Sequence, residues 1–294
     1  MIKNADLFHS RRKNISELPG PTDGEACMSS KIRSLLTTAA TVVMVVPSIA
    51  AYAETPITLA VPSFELEEAE AFQVNGDATF HGADLRLTRD EAQLWGAALN
   101  KNFINLNPDA SFSSHFTFRM SQPNGNQAGG ADGFAFLVQT NLTSERGEGS
   151  TIGYRGAGPS LVIEFDTYQN GYAEDPNNNH IGINLNGKVK SIATVKSPFI
   201  MNNGSTYYVW VDYDGNATKL DIRISDSSTR PAEATLSHTI DLSDLYTGAV
   251  YVGFSAATGA GHEQHDIKSL YFHREFVEGG LNPSANEYVT DPSR

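Results

Sequence analysis

From residue 54 onward the chain is a succession of short stretches in which apolar and polar residues alternate with a period of two. That is the pattern of strands that bury one face and wet the other. In SFSSHFTFRM, Phe112, Ser114, Phe116, Phe118 and Met120 share one face; in YYVWVDY, Tyr208, Trp210 and Asp212 stand opposite Tyr207, Val209, Val211 and Tyr213. The same alternation predicts strands over 78–87, 134–139, 160–168, 180–185, 188–195, 218–225, 249–256 and 266–274. Between them lie Pro123-Asn124-Gly125-Asn126, Asn202-Asn203-Gly204 and Asp214-Gly215-Asn216, runs that tolerate positive φ and favour turns. One short helical turn is expected, around Leu242 to Tyr246. So many strands without a helical layer predict an all-β fold of two antiparallel sheets packed face to face. Periodicity is lost from Glu278, so 278–294 reads as an irregular C-terminal tail, a frayed end or the stump of a removed sorting segment.

The amino end follows another logic. KIRSLLTTAATVVMVVPSIAAYA, residues 31–53, joins a basic start at Lys31 and Arg33 to an apolar run and a small-x-small ending at Ala51-Tyr52-Ala53. This is the pattern of a secretory signal peptide cleaved after Ala53, and it predicts a secreted protein, periplasmic or extracellular. The apolar stretch from Ala39 to Val46 is too short to cross a bilayer and Pro47 interrupts it, so no stable membrane span is expected. Met28 sits where such a signal begins; residues 1–27 then read as a mis-called extension, 28–53 as the signal and 54–277 as one domain.

Composition narrows the function. The 294 residues carry 34 acidic and 21 basic side chains, a formal charge of −13. Removing the six basic and four acidic side chains of residues 1–53 leaves −15. No Lys/Arg cluster occurs after Arg33, so a nucleic-acid partner is not expected. Cys27 is the single cysteine, which excludes an intrachain disulfide and CxxC-type zinc or redox sites.

Chemistry concentrates in LVIEFDTYQNGYAEDPNNNH, residues 161–180. Glu164, Asp166 and Tyr168 share one strand face and Ile163, Phe165 and Thr167 the other. Two carboxylates side by side repel unless a cation or proton lies between them. Asn170, Asp175 and His180 follow within one loop. Oxygen ligands suit calcium, whereas carboxylates with a histidine suit manganese or zinc, so a two-metal site follows. Asp166 and Asp175 would bridge the ions, Glu164 and His180 would complete the transition-metal shell, and Asn170 with the Tyr168 carbonyl would complete calcium. Taken singly, each of these residues is as readily an exposed loop acid or a surface histidine.

These residues carry a family resemblance. GDATFHGADLRLT (76–88), ASFSSHFTFRM (110–120), ADGFAFLVQ (131–139), LVIEFDTYQN (161–170) followed by DPNNNHIGINLNG, YYVWVDYDG (207–215) and VYVGFSAATGAGHEQHDIKSLYF (250–272) resemble a legume-type (L-type) lectin domain, of a secreted, bacterial-like kind. The resemblance implies a concanavalin-like jelly-roll β-sandwich that binds glycans or glycoconjugates without catalysis, with Ca2+ and Mn2+ or another transition ion as cofactors. It assigns Glu164, Asp166, Asp175 and His180 to the transition ion, and Asp166, the Tyr168 carbonyl, Asn170 and Asp175 to calcium. It implies that Asp132 accepts hydrogen bonds from two sugar hydroxyls, that the Ala131–Asp132 peptide is cis, and that demetallation abolishes binding. Asn170 would couple metal to sugar through its amide N–H, and the Tyr168 ring would stack on a pyranose.

The resemblance also implies a backbone donor from a glycine-rich loop. Its nearest match is Gly149-Ser150-Thr151-Ile152-Gly153, with Ser150 where a second glycine often sits. Ala260 and Gly261 of the last loop would offer further donors, with His262 and Glu263 as candidates to set specificity. Glu174 replaces a tryptophan that is typical before the Asp-Pro pair. A homodimer paired through a flat back sheet is a further implication.

Two other readings compete. Glucanases of the same architecture carry Glu-x-Asp-x-Glu or Glu-x-Asp-x-x-Glu on one strand, with the last carboxylate as acid/base. Tyr168 and Gln169 hold those positions here, and neither is a carboxyl. His262-Glu263-Gln264-His265 spaces its histidines three apart rather than the four of a zinc-protease helix, and no G-x-S-x-G elbow occurs. An adhesive module that has lost sugar binding would not need Asp132, Asn170 and a full calcium set.

Overall fold

The computed structural model describes residues 57–282 apart from 126–128, 143–146, 148 and 247. The expected extension (1–27), the signal peptide (28–53) and the tail beyond residue 282 lie outside the described residues. No described helix is long and apolar enough to cross a membrane.

The strands form two antiparallel sheets. In the back sheet the order is Leu236–Thr239, Lys219–Ser225, Thr206–Asp214, Phe112–Gly125, Gly261–His273, Asp84–Thr88 and Thr79–His81, and Leu59–Val61 also pairs with Gly261–His273. In the front sheet it is Ala193–Lys196, His180–Leu185, Ser160–Asp166, Gly133–Gln139, Ala249–Ala257, Trp95–Asn100 and Phe72–Gly76, and Ile104–Asn105 also pairs with Ala249–Ala257. These are the two packed sheets expected from the alternation, in the jelly-roll β-sandwich that the family resemblance implies.

The core lies between the sheets. Phe116 and Phe118 of the back sheet meet Phe134, Phe136, Phe165 and Phe254 of the front sheet, all fully buried. Phe116 stacks on Phe136 with centroids 5.3 Å apart and meets Phe254 edge-on at 5.1 Å. Such offset and edge-on pairs follow from the ring quadrupole and add to the burial itself. Alternation therefore places Ile163 and Phe165 in the core and, on the same strand, turns Glu164 and Asp166 to the outer face of the front sheet. The stretch from Gly149 to Gly158 folds over that face, where Ile152 and Tyr154 pack on Leu99, Leu137 and Val162.

The 78–87 stretch is a hairpin rather than one strand: Thr79–His81 and Asp84–Thr88 pair across a turn in which Gly82 has φ +63°. Of 188–195, Ala193–Lys196 forms a strand. The turn expected at Leu242 closes through hydrogen bonds from Leu245 and Tyr246 N–H to the Leu242 carbonyl. A five-residue helix, Leu66–Glu70, was not expected. Residues 277–282 are irregular yet packed: Leu281 is buried beside Ile57 and Tyr271, and its carbonyl accepts the Trp210 indole N–H at 2.9 Å.

Candidate functional site

Antiparallel register assembles the first half of the site. His180 lies opposite Asp166 and Gly182 opposite Glu164, so the histidine reaches the carboxylates from the neighbouring strand. A Cβ at Gly182 would fall 2.3 Å from Glu164 Oε1, so that carboxylate has room because residue 182 is glycine. Glu164 Oε2 accepts the Tyr154 hydroxyl at 2.6 Å and the Asn184 amide at 3.3 Å, while Oε1 accepts the Ser191 hydroxyl at 2.5 Å. His180 Nδ1 lies 2.9 Å from the Asn177 carbonyl. A carbonyl can only accept, so Nδ1 carries the hydrogen and the neutral ring leaves a lone pair on Nε2. That atom is buried without a hydrogen-bond partner, 3.6 Å from Glu164 Oε1 and 3.8 Å from Asp175 Oδ1.

Ligand atoms of Glu164, Asp175 and His180 all lie within 4.8 Å of one another. Asp166 falls outside that grouping but is bound to it by charge: burial, then the charges of Glu164 and Asp175, push its carboxyl well above the usual range. Asp175 is raised as well, first by burial. The loop closes through the Asn170 N–H, which donates to Asp175 Oδ2 at 2.7 Å, and the Tyr168 N–H, which donates to Asp166 Oδ1 at 2.7 Å. Asn170 Oδ1 is buried and unpartnered. Crowded carboxylates, a bare imidazole nitrogen and an orphan amide oxygen are the donor set that divalent cations satisfy, and unsatisfied buried acceptors are otherwise costly.

The second half is a cleft of about 330 Å³ lined by Ala131, Asp132, Gly149, Ser150, Tyr168, Asn170, Gly259, Ala260 and Gly261. The Ala131–Asp132 peptide is cis. Asp132 N–H donates to the Ala257 carbonyl at 3.1 Å and its carbonyl accepts from Thr167 N–H at 3.0 Å, which ties the residue to both neighbouring segments. Its Oδ2 is buried without a partner. Burial, then the charges of Glu263 and Asp175, push the Asp132 carboxyl up to about 7, against the Gly259 N–H that favours the ion.

Each residue expected to touch sugar lies on this cleft, with differing freedom. Gly149 N–H donates to the Thr258 carbonyl at 3.1 Å, so Gly149 provides space rather than a free donor; a Cβ there would sit 3.7 Å from Asp132 Oδ2. A Cβ at Gly259 would sit 3.2 Å from the same oxygen. The Ser150 and Tyr172 hydroxyls touch at the rim.

Two expected specificity residues do not face the cleft. Glu263 is fully buried beneath it, where Oε1 accepts the Thr167 hydroxyl at 2.6 Å and Oε2 the Asn202 amide at 2.7 Å. His262 Nδ1 is 2.7 Å from Asp90 Oδ1, outside the cleft lining. Sequence reasoning missed Tyr154, Asn184 and Ser191, which hold Glu164 from three separate segments; nothing local in their sequence marks them.

A family model described as the legume lectin domain matches residues 58–287. The chain belongs to that family. It is 32% identical over 229 residues to Lectin 1 of Medicago truncatula, covering 73% of this chain and 79% of that protein. It is 30% identical over 234 residues to the alpha-methyl-mannoside-specific lectin of Arachis hypogaea, covering 71% and 81%. It is also 30% identical over 246 residues to the L-type lectin-domain containing receptor kinase VIII.1 of Arabidopsis thaliana, covering 74% of this chain and 34% of the kinase. The chain thus spans about a third of the length of that receptor kinase. Among solved structures, basic winged bean lectin with Tn-antigen superposes with a TM-score of 0.63 at 28% identity, covering 74% of this chain and 98% of that one. These relatives are plant proteins, and they lend no support to the bacterial-like kinship expected from the sequence.

Proposed function

We propose that this chain is a secreted, metal-dependent carbohydrate-binding protein without catalytic activity. The observation that carries the reading is the set of three buried, unpartnered atoms, Asp132 Oδ2, Asn170 Oδ1 and His180 Nε2, in the cleft and the loop beside it. Native interiors leave few such atoms without a reason, and here a sugar hydroxyl and two cations supply one. Glu164, Asp166, Asp175 and His180 would hold a transition ion such as Mn2+; Asp166, the Tyr168 carbonyl, Asn170 and Asp175 would hold Ca2+. The ions would supply positive charge that keeps the crowded carboxylates ionised and fixes the loop.

Asp132 then accepts from sugar hydroxyls, Asn170 donates its amide N–H, and the Tyr168 ring offers an apolar face to the C–H side of a pyranose. Backbone groups at Ser150, Ala260 and Gly261 complete the contacts, with Gly149 leaving clearance. Tyr168 stands where a glycosidase of this architecture needs its second carboxyl, which disfavours hydrolysis. Water competes for every hydroxyl, so monovalent affinity is on the order of 0.1 to 1 mM, and pairing into a homodimer would add avidity. Secretion rests on the signal-peptide pattern of residues 28–53.

The test is a glycan array probed with the purified protein loaded with Ca2+ and Mn2+, after chelation with EDTA, and with Asp132→Ala. Binding to a defined sugar set that vanishes in both altered states is expected, with circular dichroism of Asp132→Ala unchanged. Full binding by a folded Asp132→Ala protein would remove the site assignment.

A further inference from the structure

Beyond the Ser150–Tyr172 contact lies a second groove of about 780 Å³, walled by Arg155, Tyr172, Lys188, Val189 and Lys190. Tyr172 lines this groove, and its hydroxyl touches Ser150, which lines the Asp132 cleft, so the two cavities meet at one pair of side chains. The charge here runs against that of the molecule. In a chain of net charge −13, three cations share one wall. Lys190 pairs with Glu174 at 2.5 Å, but both side chains are more than half exposed, so the pair holds weakly. Arg155 and Lys188 are exposed, and no carboxylate among the described residues pairs with either.

The backbone fixes the segments that carry these two cations. Gly187 adopts φ +64°, and a Cβ there would fall 2.4 Å from Ala157 N and 2.5 Å from Gly156 N. Gly156 N–H donates to the Gly187 carbonyl at 3.1 Å. The Arg155–Gly156 and Gly187–Lys188 segments are therefore locked together, and the residues bearing the guanidinium and the ammonium are held on a preset base, which lowers the ordering cost of binding. Tyr172, 65% exposed, adds an aromatic surface between the cations and the cleft.

We propose that this groove is a subsite for the anionic substituent, a carboxylate or a sulfate ester, of an oligosaccharide whose neutral ring occupies the Asp132 cleft. The inference rests on the sugar-binding reading. A guanidinium matches either oxyanion bidentately, and an ammonium adds a point charge.

The test uses the full chain with Ca2+ and Mn2+ against immobilised neutral oligosaccharides and their uronic-acid and sulfate-ester counterparts, at ionic strengths of ~0.05 and ~0.5 M. A preference of roughly fivefold for the acidic member is expected at low salt, shrinking at high salt, as two exposed charge contacts would give. In the double variant Arg155→Ala, Lys188→Ala that preference should vanish while binding of the neutral members is unchanged. Preference for either the uronic acid or the sulfate ester supports the subsite and tells the two sources apart. Equal binding of neutral and acidic members by the unaltered protein, or a preference that survives in the double variant, overturns this inference alone. No binding of any member overturns the sugar-binding reading and the subsite with it.

Discussion

Glu263 shows how a side chain outside the cleft can shape it. Besides its bonds to Thr167 and Asn202, its Oε1 lies 3.2 Å from His265 Nε2, and His265 Nδ1 lies 2.6 Å from the Thr88 hydroxyl. A carboxylate oxygen accepts, so His265 Nε2 carries the hydrogen and donates to it. A Cβ at Gly130 would fall 2.2 Å from Glu263 Oε2, and the Asn202 amide also bonds the Gly129 carbonyl. The carboxylate thus clamps the turn that leads into Asp132. Every group facing it donates, so Glu263→Gln sets an NH2 against another donor. Leaving one buried polar group unsatisfied costs ~1 to 3 kcal/mol. Urea unfolding should show a midpoint lowered to match, and an unchanged midpoint would remove the clamp. The grouping of Glu164, Asp175 and His180 was legible in the sequence because two strands and one loop carry it, whereas Tyr154, Asn184 and Ser191 around Glu164 were not. Glu263 was not: read locally, His262-Glu263-Gln264-His265 is a polar loop, and only tertiary pairing shows that Glu263 and His265 point inward.

At the scale of elements, alternation was readable where β-branched and aromatic residues supply it, as in Phe112–Gly125 and Thr206–Asp214. It was silent in Trp95–Asn100, whose Gly-Ala-Ala is chosen for closeness: a Cβ at Gly96 would fall 2.0 Å from the Leu87 carbonyl. Within Gly261–His273 the register shifts between Ile267 and Ser269, so Ile267, Leu270 and Phe272 all reach the core although they break a strict period of two. The outer face of the back sheet also departs from the wet face that alternation predicts. There His115 is buried in a row of rings, stacked with Trp210 at 4.6 Å, Tyr271 at 6.1 Å and Tyr208 at 6.3 Å. Burial pushes its imidazole down to about 4, against the raising effect of the Nδ1–H bond to the Val209 carbonyl. The fold therefore keeps His115 neutral. Its contribution is fully present above the unfolded value of about 6.5 and is lost as pH falls from there towards 4, by ~3 kcal/mol in all. Unfolding free energies measured by urea across that window should fall with this slope, and His115→Phe should flatten it; a slope as steep in the variant would place the titration elsewhere.

Across the whole molecule the sandwich core and the ligand loop make opposite demands. The core holds strand Ser160–Asp166 rigidly in mid-sheet, and the same strand presents Glu164 and Asp166 side by side with Asp175 close by. Holding these acids together raises Asp166, Asp175 and Asp132 above their ordinary range, first through burial. A carboxyl whose folded pKa is raised destabilises the fold above its unfolded value of about 4, because the unfolded chain ionises more readily. The metal-free protein should therefore be at a disadvantage at neutral pH that divalent cations reverse. Cations that bind only the folded chain stabilise it by about 2.7 kcal/mol at a hundredfold excess over Kd. Protons compete for the same carboxylates and for His180 Nε2, so the benefit should grow with pH. Thermal unfolding followed with and without EDTA should give a gap in Tm that widens from about pH 5.5 to about pH 8, and Asp175→Asn should narrow it throughout. A gap that does not vary with pH would mean that the cations bind away from these acids, and a gap unchanged in Asp175→Asn would place them outside the loop between Glu164 and His180.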